Sequence, residues 1–142
     1  SNRLELIRED TNSSIYKDFA HSPSKLIATI DAVKKQFKDR KLVACMELHT
    51  FSSLNKIFLS QYVNSMNSAD EAIVYFSIEA IKHKRLDPIS KEDIKLAFKN
   101  EKLKVINDKK ELIHHLKNIY TENTNLLMMS SGNFNKLNYD EI

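Results

Sequence analysis

Asp18, His21 and Ser22 fall within one short run, Asp18-Phe19-Ala20-His21-Ser22-Pro23. A carboxylate can accept both hydroxyls of a ribose, as it does in dinucleotide-binding folds. An imidazole can donate to a developing oxyanion. A helix opening at Pro23 would offer free N–H groups and a positive dipole end to an anion. Lys25, in the first turn of that helix, is disfavoured by the dipole unless a phosphate or carboxylate lies close. A solvated lysine is the plainer reading.

Two further groups carry comparable chemistry. Glu47, His49, Thr50, Ser52 and Ser53 follow the apolar run Leu42 to Met46. A glutamate directly after such a run points to a ligand or a specific partner. Ser130, Ser131, Gly132 and Asn133 follow another apolar run, Leu126 to Met129. Each residue also has a structural reading: Asp18 ends a strand, Ser22 caps a helix, and His21 is a half-buried, hydrogen-bonded histidine. The functional reading rests on the three groups converging.

Convergence needs strands that run side by side in the same direction. Five runs read as strands: Ile15–Phe19, Leu42–Glu47, Ala72–Phe76, Leu103–Ile106 and Leu126–Ser130. Continuous apolar runs such as Ala72 to Phe76 suit strands covered on both faces. Leu4–Arg8 alternates, with Leu4, Leu6 and Arg8 on one side, as an edge strand would. Leu26, Ile30, Val33 and Phe37 make one helical stripe, with Ser22 as N-cap and Pro23 at the first position. Leu54, Ile57, Phe58 and Tyr62 predict a second helix. Ser90 with Asp93 opens a third, burying Ile94, Ala97 and Phe98. Asp108 with Glu111 opens a fourth, carrying Leu112, Leu116 and Ile119. Strands alternating with helices predict an α/β fold: a three-layer, Rossmann-like domain. Its mostly parallel sheet would have about six strands and helices on both faces. Every strand-to-helix loop would then open on the same edge, where ligands bind.

Composition excludes several classes. At 142 residues, 42% hydrophobic and 29% charged, the chain suits one globular domain. No apolar run approaches a membrane span, and the N-terminal residues do not read as a charged-then-apolar signal pattern. Cys45 is the only cysteine, set in an apolar run, so it reads as a buried thiol compatible with a cytoplasmic location. The net charge of +3 shows no basic stripe, which argues against nucleic acid. One glycine, Gly132, leaves no phosphate-cradling loop. His114 and His115, adjacent on a helix, cannot face one another as metal ligands. No G-x-S-x-G elbow supports a serine hydrolase. Ser1-Asn2 resembles a tag remnant, and the polar segment 134–142 is expected to be loose.

The turn Asp18-Phe19-Ala20-His21-Ser22-Pro23 resembles the D-[YF]-[AG]-H-x-P turn that opens the C-terminal domain of the Mur ligases, ATP-dependent enzymes of peptidoglycan precursor synthesis. Ala28-Thr29-Ile30-Asp31-Ala32-Val33, Arg40 to Glu47, Ser68 to Val74 and Met129 to Phe134 are similar to family stretches in the same order. Within the family the chain resembles the UDP-N-acetylmuramate–L-alanine ligase and murein tripeptide ligase branches. The resemblance implies a C-terminal closure domain whose partners are N-terminal and central domains of the same protein. The central domain would hold Mg2+. Asp18, His21, Ser22 and Lys25 would bind ATP. Glu47, His49, Thr50, Ser52, Ser131 and Asn133 would contact the incoming amino acid or peptide, destined for a UDP-N-acetylmuramate-type substrate. No residue here would be catalytic or bind metal, and this piece alone should be inactive. The family's second-loop arginine is replaced by the run Glu47 to Ser53, and its second turn histidine by Ser22. A non-catalytic α/β interaction module and a hydrolase using Asp18 and His21 are the competing readings.

Overall fold

The apolar runs at Leu42 and Ala72 become strands sealed from solvent. In the computed structural model, which describes residues 4–142, they form β3 (Lys41–Leu48) and β4 (Glu71–Phe76). Leu42 to Leu48 and Ala72 to Phe76 are all buried. Around them, in chain order, lie β1 (Glu5–Asp10), β2 (Ser13–Asp18), α1 (Pro23–Gln36), then α2 (Ile78–His83), α3 (Lys91–Phe98), β5 (Lys104–Ile106), α4 (Lys109–Ile119) and β6 (Thr124–Met129). One sheet holds all six strands in the order β1-β2-β6-β3-β4-β5. Among the described residues only the β1–β2 pair is antiparallel. The expected mostly parallel α/β sheet is the fold.

Helices cover both faces. α1 buries Leu26, Ile30 and Val33 against Ala44, Met46, Leu127 and Met129, and α2 and α3 add Ile81, Ile94 and Phe98 to the same layer. On the opposite face α4 buries Leu112 and Leu116 against Val43, Cys45, Leu126 and Met128. Each such leucine contributes about 1.5–3 kcal/mol by leaving water. Local signals set the ends. Ser90 and Asp93 form a reciprocal capping box on α3. Asp108 accepts the Glu111 N–H at 2.9 Å to cap α4.

Four expectations change. Ser22 takes the extended N-cap conformation of α1, but its hydroxyl makes no capping bond. The helix expected over Leu54–Tyr62 is a run of turns ending in a short 3-10 helix, Phe58–Tyr62. The Asn55 side chain accepts the Ile57 and Phe58 N–H groups, replacing helical bonds. Ile57 is therefore 87% exposed, while Leu54, Leu59 and Tyr62 are buried. In β1, a register shift between Leu6 and Arg8 turns Arg8 away from the Leu4 and Leu6 side: it pairs with Ile15 of the α4-side core and lies over the Tyr120 ring, while Leu6 stays half exposed. The segment after Asn133 packs rather than trailing: Phe134 and Leu137 are buried in the α4-side core, with Tyr139 and Ile142 against it. Ser1-Asn2 lies outside the described residues. The short helix α2, capped by the Ser77 hydroxyl on the Ala80 N–H, had no periodic signal to reveal it.

Candidate functional site

β2, β6 and β3 lie side by side and parallel, and their ends align. Asp18 pairs with Met129, and Met129 with Met46. Asp18, Glu47, Ser130 and Ser131 therefore meet at one edge of the sheet. From there the chain leaves β2 toward α1 and leaves β6 toward the face that carries α4. Diverging loops on neighbouring strands open a crevice, the usual ligand position in such sheets. A cleft of about 610 Å³ lies there, walled by Lys17, Asp18 and Phe19 on one side and by Ser130, Ser131 and Gly132 on the other, with Glu5 at its rim.

Asp18 is 8% exposed, and its backbone carbonyl accepts the Ser130 N–H at 3.1 Å, which ties the two loops. Its Oδ1 accepts the Ala20 N–H at 2.7 Å and so holds the turn. Oδ2 has no protein partner among the described residues and is available to a ligand. Across the cleft, the Ser131 hydroxyl is buried without a hydrogen bond. A buried unpaired hydroxyl is costly, and with almost no accessible surface it meets a ligand only when its rotamer turns into the cleft.

His21 stands beside the cleft rather than in its wall. Its Nδ1 lies 2.8 Å from the Phe19 carbonyl, which can only accept, so this nitrogen carries a proton. The Tyr62 hydroxyl donates to the His21 carbonyl at 2.8 Å. Burial pushes the Tyr62 phenol up to about 12, so it stays a donor. Lys25 is exposed at the start of α1, whose first turn holds no acid.

The second loop sits on the other side of the sheet. Met46 and Met129 face α1, so Glu47, one residue on, faces the α4 layer. Glu47 is 2% exposed. Its Oε1 accepts the Ser130 hydroxyl at 2.6 Å and the Phe134 N–H at 3.0 Å. Ser130 Oγ in turn accepts the Gly132 N–H at 2.7 Å. Oε2 lies 3.8 Å from His49 Nδ1. Thr50 is spent on its own turn, accepting the Ser53 N–H at 3.0 Å, and Ser52 is exposed. Asn133 is exposed and accepts the Lys136 N–H.

The last loop is strained. Phe134, Asn135 and Lys136 take φ of 53°, 55° and 60°, in the left-handed region that phenylalanine and lysine avoid and asparagine tolerates. Glu47 holds the Phe134 N–H, and Asn135 Nδ2 donates to the Tyr75 hydroxyl at 2.9 Å. Burial, and the Glu47 charge after it, raise the Tyr75 phenol, which keeps its proton. Among the described residues no group of three acidic, histidine or cysteine side chains could hold a metal ion. No described helix is long and apolar enough to cross a membrane.

Of the expected site residues, the cleft gathers Asp18 and Ser131. Glu47 and His49 stand behind its Gly132 wall, His21, Ser22 and Lys25 flank it, and Thr50, Ser52 and Asn133 are turned to local or solvent positions. Sequence reasoning missed Glu5 and Lys17, which carry no motif, and Phe19, whose place inside the turn was the available signal.

The sequence matches the model of the Mur ligase glutamate ligase domain over residues 2–132. It is 26% identical over 140 residues to the UDP-N-acetylmuramate–L-alanine ligase of Persephonella marina, covering 96% of this chain and 30% of that protein. It is 34% identical over 99 residues to the enzyme of the same name from Caldicellulosiruptor bescii, covering 70% of this chain and 21% of that one. Among solved structures, a murein peptide ligase from Psychrobacter arcticus matches with a TM-score of 0.75 and 24% identity, over 94% of this chain and 28% of that chain. The chain thus spans less than a third of the length of these proteins. With its sheet order, its crevice and the family model all in agreement, the chain belongs to the Mur ligase family, as a copy of the glutamate ligase domain.

Proposed function

We propose that this chain is the ligand-binding and closure domain of an ATP-dependent ligase that joins an amino acid or short peptide to a UDP-N-acetylmuramate-type carboxyl group. The observation that carries this reading is the cleft between the β2 and β6 ends, with the free Asp18 Oδ2 on one wall and the unpaired Ser131 hydroxyl on the other. A carboxylate there suits a nucleotide ribose. The α1 N-terminus, with Lys25 beside it, suits the anionic end of the same ligand. His49 and the buried Glu47 behind Gly132 suit the incoming amine-bearing substrate. In the complete protein, N-terminal and central domains would supply the phosphate loop and Mg2+. ATP would convert the muramoyl carboxylate to an acyl phosphate, and the amine would displace phosphate. Closure of this domain would expel water from that intermediate. The chain by itself is not expected to turn over substrate.

The test is Asp18→Ala in the complete ligase, assayed with ATP, a UDP-N-acetylmuramate acceptor, and L-alanine or tripeptide. Activity should fall at least about tenfold, the loss of one charged hydrogen-bond acceptor. Unchanged activity would overturn the role of Asp18.

A further inference from the structure

Gly132 is the only glycine in the chain, and its φ is not positive, so its conformation does not require glycine. Space does. A Cβ at this position would meet three atoms of the His49 ring, Cδ2 at 2.8 Å, Nε2 at 2.9 Å and Cγ at 3.0 Å. Such near-equal distances to consecutive ring atoms place the glycine against the face of the imidazole, not its edge. The ring is therefore laid flat on the loop that walls the cleft. Its Nδ1 edge faces Glu47 Oε2 at 3.8 Å, longer than a hydrogen bond but close enough for the carboxylate's charge to act on the ring. The carboxylate itself cannot swing away, because Oε1 is held by the Ser130 hydroxyl and the Phe134 N–H. Nε2 has no partner among the described residues, and the side chain is 41% exposed.

A buried carboxylate facing one ring nitrogen draws the imidazole proton to that side and leaves the other nitrogen with its lone pair. We infer that His49 Nε2 is the proton acceptor for the incoming amine, with Glu47 as the positioning residue that fixes its tautomer and Gly132 as the floor that fixes its plane. This deepens the proposed ligase reading and rests on it. An amino acid arrives as an ammonium, which has no lone pair to attack with. Its N–H bond breaks, the proton goes to Nε2, and the freed pair forms the C–N bond at the acyl phosphate carbon. The C–O bond to phosphate breaks, and phosphate leaves with that electron pair and takes the second nitrogen proton, so that a neutral amide remains.

Two measurements test this separately. The first uses this chain alone. Long-range proton–nitrogen correlation spectra of neutral His49 should show the proton on Nδ1, and Glu47→Gln should lose that preference. The Phe134 amide signal should stay in place, because a glutamine oxygen still accepts it. A proton on Nε2 in the parent chain, or the same tautomer in both, would overturn the positioning role. The second uses the complete ligase. His49→Gln should lower kcat about 100-fold, the usual scale for a lost general base. The KM for ATP should be unchanged, and raising the pH, which frees the amine without help, should recover part of the rate. A rise in the KM for the amine substrate with kcat intact would overturn the proton-acceptor role. A parent protein with no ligase activity would instead overturn the proposed function, and the tautomer measurement would still decide Glu47.

Discussion

The Ser130 hydroxyl donates to Glu47 Oε1 across 2.6 Å and joins the end of β6 to the end of β3. The same Ser130 oxygen accepts the Gly132 N–H. One hydroxyl thus satisfies a buried carboxylate and fixes the wall of the cleft.

Ser130→Ala should be costly for so small a change. It removes one of two donors to a buried carboxylate oxygen and orphans the Gly132 N–H. The expected loss is about 1–3 kcal/mol, read from the midpoint of urea unfolding. A loss within experimental scatter would show that water replaces the hydroxyl freely.

Gly132→Ala tests the glycine–imidazole contact. No backbone strain is involved, so the cost is the clash with His49 alone. The half-exposed ring can swing aside, so stability should fall by no more than about 1 kcal/mol, below the usual range for overpacking. The ring signals of His49 should move strongly. In a His49→Ala background the same glycine substitution should cost nothing, and an equal cost in both backgrounds would remove the contact from consideration.

Asp18→Asn separates turn from ligand. An asparagine carbonyl can still accept the Ala20 N–H, so the fold should hold its melting temperature. Nucleotide affinity, measured by calorimetric titration of ATP, should drop about tenfold or more, as a charged acceptor becomes neutral. Equal affinity in the two proteins would move the nucleotide away from Asp18.

Asp70 governs part of the acid response. Burial alone would raise its carboxyl, but the Leu42 N–H and the Lys34 and Lys41 charges outweigh it and hold the group below its ordinary value of 3.8. It bonds both the Leu42 N–H, at 2.7 Å, and the Lys34 ammonium. A depressed folded value contributes stability above the unfolded pKa and loses it as pH falls through the folded one. Unfolding free energy should therefore decline as the pH falls from about 4. Asp70→Asn should flatten that decline, and a parallel acid limb in both proteins would exclude Asp70 as its source.

The sheet was legible because both of its faces are covered. Strands such as β3 and β4 had to be apolar throughout, and that pattern survives in a linear reading. The caps of α3 and α4 were legible because donor and acceptor lie three residues apart. The stretch from Leu54 to Tyr62 misled because its spacing is helical, while Asn55 consumes the N–H groups that a helix would need.

The sequence alone determined the α/β class, the family turn at Asp18 and the three groups of polar residues at strand ends, since each is a local pattern of a few neighbouring residues. Only the tertiary structure decided what those groups do to one another. Strand register set Asp18 and Glu47 on opposite faces of the sheet. Contacts spanning more than eighty residues gave Glu47 its Ser130 and Phe134 donors. The same folding laid His49 on Gly132, because partners so distant in the chain are chosen by packing and not by sequence spacing.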